Sequence, residues 1–258
     1  MKEEDKSKIV SSILSRVMAA VRLHVIAVAG MYSHEAGDVE GTGTIIELGG
    51  HVLLVTAEHV LSQIAAKGYV GISFSNGDGK RYAQVLHPFS TNAQLDVACV
   101  KIPRPRQPDS DRLACPETLI ESSVNLSEKD LLFIYGFPGN SSRFSAFLKG
   151  IRSKSLTYAA YAGMSEDPWF DPSMHLAIKY DPKHFIGGDG LPADFPLPDG
   201  LSEATVWKIP RLEEQGTWAS QDARIVGVIQ RWDSTGRFVI ATRIEHVLPF
   251  LQNVCSTT

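Results

Sequence analysis

Leu54-Val55-Thr56-Ala57-Glu58-His59 closes an apolar strand, opened just after the glycine pair Gly49-Gly50, on a histidine. Two other stretches follow it in a telling order. Asp96 sits in Gln94-Leu95-Asp96-Val97-Ala98, and Ser202 sits in Asp199-Gly200-Leu201-Ser202-Glu203-Ala204. A base, an acid and a hydroxyl in the order His, Asp, Ser, each at a strand end or in a loop, is one chain order by which a nucleophilic triad is assembled.

Around these residues the pattern is that of short strands. Residues 21–30, 43–48, 51–56, 71–74, 81–87 and 96–102 read as six strands separated by turn residues. A second set reads at 131–135, 146–160, 175–180, 205–209, 225–230 and 238–242. Between the sets lies a Pro-, Arg- and Asp-rich stretch, residues 103 to 127, which reads as an extended linker rather than an SH3-type ligand. Ile9, Val10, Ile13, Leu14, Val17 and Met18 recur at helical spacing, so residues 4 to 20 read as an amphipathic packing helix. Its mixed-sign polar face argues against a membrane surface and leaves room for a protein partner. Residues 244 to 251 read as a closing helix. The expected architecture is all-β: two six-stranded antiparallel barrels with an N-terminal and a C-terminal helix. The expected division is a helix over 1–20, a first barrel over 21–125, and a second barrel with its helix over 126–258.

Composition narrows the function classes. A net charge of −4 lacks the basic surplus of a nucleic-acid footprint. No stretch reaches the length of a membrane span. The N-terminus, Met1-Lys2-Glu3-Glu4-Asp5-Lys6, is too acidic for a signal peptide, so a cytoplasmic protein is expected. The three cysteines, Cys99, Cys115 and Cys255, are odd in number and irregular in spacing. They form neither a disulfide framework nor a zinc pattern, and a reducing compartment suits them. The histidines other than His59 show no metal-site spacing, and Gly187-Gly188-Asp189-Gly190 lacks the Lys-Ser/Thr of a phosphate loop. Neither a metal nor a cofactor is expected.

The chain resembles the trypsin-like (chymotrypsin-fold) serine peptidases, in their bacterial, disulfide-free form. Gly41-Thr42-Gly43 ahead of Thr56-Ala57-Glu58-His59 is similar to the G-x-G strand and T-A-x-H signature of the first barrel. Leu95-Asp96-Val97-Ala98 resembles the strand that carries the acid, and Gly136-Phe137-Pro138-Gly139 the turn that opens the second barrel. Gly200-Leu201-Ser202 resembles G-x-S. Residues 225–229 and 240–248 resemble the last strands and terminal helix, so the likeness spans roughly residues 21 to 252.

That resemblance implies peptide-bond hydrolysis through an acyl-enzyme. A serine hydroxyl needs a base during attack, and an imidazole titrates near the working pH. His59 would be that base, Asp96 would fix its tautomer, and Ser202 would be the nucleophile. The backbone N–H groups of Gly200 and Ser202 would receive the oxyanion. The substrate would be a polypeptide. Its P1 preference would be set before Ser202 and along Val228–Arg231 and Val239–Thr242, with no acid at an evident pocket floor. The departure is Glu203-Ala204, where the family pattern has a glycine directly after the serine. A carboxylate ~7 Å from the oxyanion at an effective dielectric of ~20 would cost about 2 kcal/mol. The alternative reading is therefore a catalytically impaired pseudo-peptidase that binds a peptide or protein. A third expectation concerns control: residues 181 to 199, rich in Gly, Pro and Asp, would need ordering, and the N-terminal helix would dock the partner that orders them.

Overall fold

The computed structural model describes residues 3–33, 36–65, 68–73, 82–84, 88–105, 112–127, 130–138, 142–145, 150–153, 155–181, 186–187, 201, 204–209 and 219–257. Gly200, Ser202, Glu203, the glycine-rich 188–190 stretch and most of the 181–199 loop lie outside them.

The chain opens with α1 (Glu3–Val21). It continues with β1 (Val25–Ser33), β2 (Ala36–Leu48), β3 (His51–Thr56), α2 (Glu58–Ala65), β4 (Tyr69–Ser73), β5 (Tyr82–Gln84), β6 (Ser90–Asn92) and β7 (Val97–Lys101). These strands form one antiparallel sheet in the order β5-β4-β1-β2-β3-β7-β6. The second half holds β8 (Leu131–Gly136), β9 (Ser142–Ser145), β10 (Gly150–Ser153), β11 (Leu156–Gly163), β12 (His175–Lys179), β13 (Ile186–Gly187), β14 (Thr205–Ile209), β15 (Arg224–Asp233), β16 (Phe238–Arg243) and α3 (Ile244–Ser256). Strands β8, β14, β15, β16, β12 and β11 pair in turn, and β11 pairs back onto β8, so six strands close into a ring. The short β13 adds to β11 from outside that ring.

Successive strand side chains face opposite ways, and here both directions lead to apolar surroundings. Ile26 and Val28 of β1, Ile45 of β2, Val52 and Leu54 of β3 and Val100 of β7 fill the interior of the first sheet, with Val60 and Ile64 of α2. Their neighbours Ala27, Ala29, Ile46, Leu53, Val55 and Cys99 belong to a larger core shared with the second ring. A run such as Val52-Leu53-Leu54-Val55 therefore shows no polar alternation, because neither face meets water. Each such buried aliphatic side chain contributes roughly 1.5–3 kcal/mol. Gly43 in β2 permits the tight approach beneath this core: a Cβ there would lie 2.6 Å from Leu54 Cδ1.

Several sequence expectations shift. The helix α2 directly after the strand end was not anticipated, although Val60, Leu61 and Ile64 supply its buried face. β6 was also missed, since three residues are too few to show a period. The single strand expected over 146–160 is divided. β9 and β10 form a separate two-stranded ribbon, and β11 begins afresh after it. The polar run Arg152-Ser153-Lys154-Ser155 supplies no apolar alternation to join them. Of the stretch expected to be an extended linker, residues 103–105 and 112–127 are described; they include a 3-10 turn at Glu117–Leu119 and are tied to both sheets. Cys115 bridges Ile46, and Ile120 bridges Ile225.

The C-terminal part of the α1 apolar stripe packs on its own protein. Val17 and Val21 are buried, and Ile13, Leu14 and Met18 pack on the shared core. Just beyond it, buried Arg112 donates to the carbonyl of Arg22 and lies over the Phe137 ring. The seam between the sheets is polar at one level. Thr44 Oγ1 and Thr205 Oγ1 are 3.1 Å apart, and Trp207 Nε1 donates to Thr205 Oγ1 at 2.9 Å.

Candidate active site

His59 is the second residue of α2, three residues after Thr56 ends β3. Asp96 ends the turn between β6 and β7. That turn is folded by Asn92, whose side-chain oxygen accepts from the N–H groups of Gln94 and Leu95 at 3.1 and 3.2 Å. This is an Asx turn, the local structure that Asn favours. Asp96 itself has a left-handed backbone with φ of 48°, a conformation Asp tolerates better than most residues but not without cost.

The two side chains meet. Asp96 Oδ2 lies 2.7 Å from His59 Nδ1, and Asp96 Oδ1 accepts from the His59 backbone N–H at 3.1 Å. Both carboxylate oxygens are thus committed to one residue. The pairing fixes the imidazole with its proton on Nδ1, which leaves the lone pair on Nε2. The His59 side chain is 36% exposed, so the imidazole is open to solvent rather than sealed in the core.

Ser202, Glu203 and Gly200 lie outside the described residues, but the residues flanking the serine do not. Leu201 and Ala204 are buried, and the Ala204 N–H donates to Leu201 O at 3.2 Å. Ala204 O accepts from Ile229 N–H of β15 at 3.0 Å. Both side chains press on Gly136, where an added Cβ would sit 3.2 Å from Leu201 Cδ2, 3.3 Å from Ala204 Cβ and 2.8 Å from Thr42 Oγ1. Thr42 Oγ1 accepts from the Phe137 N–H at 2.8 Å, and Thr42 O accepts from Thr56 Oγ1 at 2.9 Å. A short chain of contacts therefore runs from the anchors of the serine segment, through Gly136 and Thr42, to the strand end that delivers His59.

A family model for the trypsin-like peptidase domain matches residues 41–181, more than half of the chain. The chain belongs to the trypsin-like peptidases. The matched region includes His59 and Asp96 and stops before Ser202. Solved structures show the fold. An inactivated protease paralogue of the scabies mite superposes with a TM-score of 0.54 at 12% identity, covering 93% of this chain and 96% of that one. A serine endoprotease of Yersinia pestis gives 0.53 at 13% identity over 93% of this chain, which spans 65% of that structure. A protease of M. tuberculosis in its active form gives 0.52 at 16% identity, with 96% and 88% covered. No curated protein matches.

In this trypsin-like chain the two buried cysteines are poorly suited to nucleophilic attack. All three cysteines are free thiols. Burial pushes Cys99 and Cys115 up to about 12, where the thiolate needed for attack is scarce. Among the described residues no cluster of three or more His, Cys, Asp or Glu is arranged to hold a metal. No described helix is long and apolar enough to cross a membrane. His24 is buried, stacked on Trp207 at 6.0 Å and donating Nδ1–H to Leu113 O at 3.0 Å. Burial lowers its affinity for a second proton. Lys208 donates to Asn125 O at 3.0 Å and lies 3.9 Å from Asp130 Oδ2.

Sequence reading named the segments that contain Gln230 and Thr242 only as pocket walls. The structure gives these two side chains another task. Both are buried, and both donate to the carbonyl of Leu95, at 2.6 and 3.3 Å. No sequence motif marks them, because the bond crosses 135 and 147 residues of chain.

Proposed function

We propose that this chain is a serine endopeptidase in which His59 is the general base, Asp96 its orienting acid and Ser202 the nucleophile. The observation that carries this reading is the two-point embrace of His59 by Asp96, at 2.7 and 3.1 Å. A solvated or merely structural histidine does not need both carboxylate oxygens and a left-handed backbone to hold it.

In the proposed cycle Ser202 Oγ attacks the peptide carbonyl while its proton passes to His59 Nε2. The N–H groups of Gly200 and Ser202 take the developing oxyanion. The C–N bond breaks as the imidazolium returns the proton to the amine. Water then repeats the sequence on the acyl-serine and releases the acid. Asp96 stays ionised throughout and stabilises the imidazolium. The substrate is a polypeptide, and one feature suits an extended chain. β15 runs on past Val228, the last residue it pairs with β14. Among the described residues, Arg231–Asp233 have ladder partners only on the β16 side, and an open edge of this kind accepts a peptide as an added strand.

Burial of Ala204 beside Gly136 accounts for a small residue there. The family departure then reduces to Glu203. A protein partner at α1 would meet a surface other than the Ile13–Val21 part of the stripe, which packs on the core. A cytoplasmic setting belongs to the same reading and draws on the three free thiols.

The test is labelling with a fluorophosphonate. Wild type should react, and Ser202→Ala and His59→Ala should not. An unreactive but folded wild type would sink the hydrolase in favour of a peptide-binding pseudo-peptidase.

A further inference from the structure

We infer that Gln230 is a positioning residue for Asp96, acting through the carbonyl of Leu95. Its role in rate rests on the peptidase reading above; its role in holding the acid does not. Asp96 is held in the left-handed region, and the peptide group that leads into it is the natural place to hold such a residue. The Leu95 carbonyl receives two donors from the opposite sheet, Gln230 Nε2 at 2.6 Å and Thr242 Oγ1 at 3.3 Å. On the other side, Asn92 holds the Leu95 N–H at 3.2 Å. Leu95, the residue before the acid, is thus held by both its N–H and its carbonyl.

Two details single out Gln230. First, the register of β15 against β16 slips between Ile229 and Arg231, which makes Gln230 the extra residue of a bulge. Bulges re-aim a side chain, and this one sends the amide into the seam instead of along the sheet face. Second, Gln230 Oε1 is buried with no hydrogen-bond partner among the described residues. An apolar side chain such as Met would fill the same space without burying an orphaned acceptor. The amide earns its place through its N–H alone. The orientation is fixed by chemistry, because only the nitrogen can face a carbonyl.

The experiment uses the full chain and two readouts. One is the rate constant for fluorophosphonate labelling. The other is the low-field proton resonance of His59 Nδ1–H, which reports the bond to Asp96 whether or not the enzyme turns over. Gln230→Met should slow labelling about tenfold or more and weaken or broaden that resonance, with the fold intact by circular dichroism. Thr242→Val should shift in the same direction as Gln230→Met, and Thr242→Ser, which keeps the hydroxyl, should lie closer to wild type than Thr242→Val in both readouts. A folded Gln230→Met protein with wild-type labelling and a wild-type resonance overturns the inference. Should Gln230→Met not fold, the contrast between Thr242→Val and Thr242→Ser decides by the same two readouts. If wild type itself does not label, the peptidase reading fails, and an unchanged or altered resonance still decides the role of Gln230.

Discussion

The two sheets differ in how they end. The second closes on itself through β11 and β8, so all six strands of its ring are paired on both sides along part of their length. The first runs from β5 to β6 without closing among the described residues, and those terminal strands are only three residues long. His59 and Asp96 both belong to the open half, His59 on α2 after β3 and Asp96 in the turn that follows the short edge strand β6. The difference teaches where the rigidity comes from. A three-residue edge strand cannot hold a left-handed acid by itself, and the turn after it leans on β15 and β16 of the closed ring.

The largest effect expected on this contrast is at the acid. Asp96→Asn keeps a residue that tolerates the left-handed backbone but presents the wrong hydrogen-bonding group to Nδ1. Labelling or turnover should fall about ten-thousand-fold with little change in the unfolding midpoint. A loss below tenfold would show that the open sheet carries no working acid. Next comes the contact where the sheets touch beneath the serine segment. Gly136→Ala would drive a Cβ to within 2.8 Å of Thr42 Oγ1, at a cost of about 1–3 kcal/mol in urea unfolding, and slower labelling. Smaller still is the hydroxyl pair across the seam. A cycle of Thr44→Val, Thr205→Val and the double variant should return a coupling of about 1 kcal/mol. A value near zero would mean that the sheets meet through apolar packing alone.

The smallest effect is a pH dependence at His24, which joins the end of α1 to Trp207 of the ring. Burial keeps its pKa below the ordinary value of about 6.5. The unfolded chain therefore binds a proton that the native state refuses. Stability is complete at neutral pH and erodes as the pH falls below about 6.5. His24→Asn preserves an N–H donor for Leu113 O without titrating. Wild type should lose more thermal stability than this variant between pH 7 and 5. Parallel curves would remove His24 from the seam.

Much of this was legible in the chain. Val52–Thr56 shows a strand by its apolar run, and His59, Asp96 and the Gly136-Phe137-Pro138 turn declare themselves by local pattern in the right order. The sequence misled where elements are short or interrupted, at β6 and in the divided stretch before β11. It was silent on Gln230 and Thr242 for a different reason. Their importance lies in a bulge and in a carbonyl on the far side of a seam, and a backbone carbonyl has no letter of its own.

The two donors to Leu95 follow it by 135 and 147 residues. A ribosome making this chain releases the histidine and the acid long before the groups that steady them. The turn at Asp96 is therefore completed only once the last strands have been made.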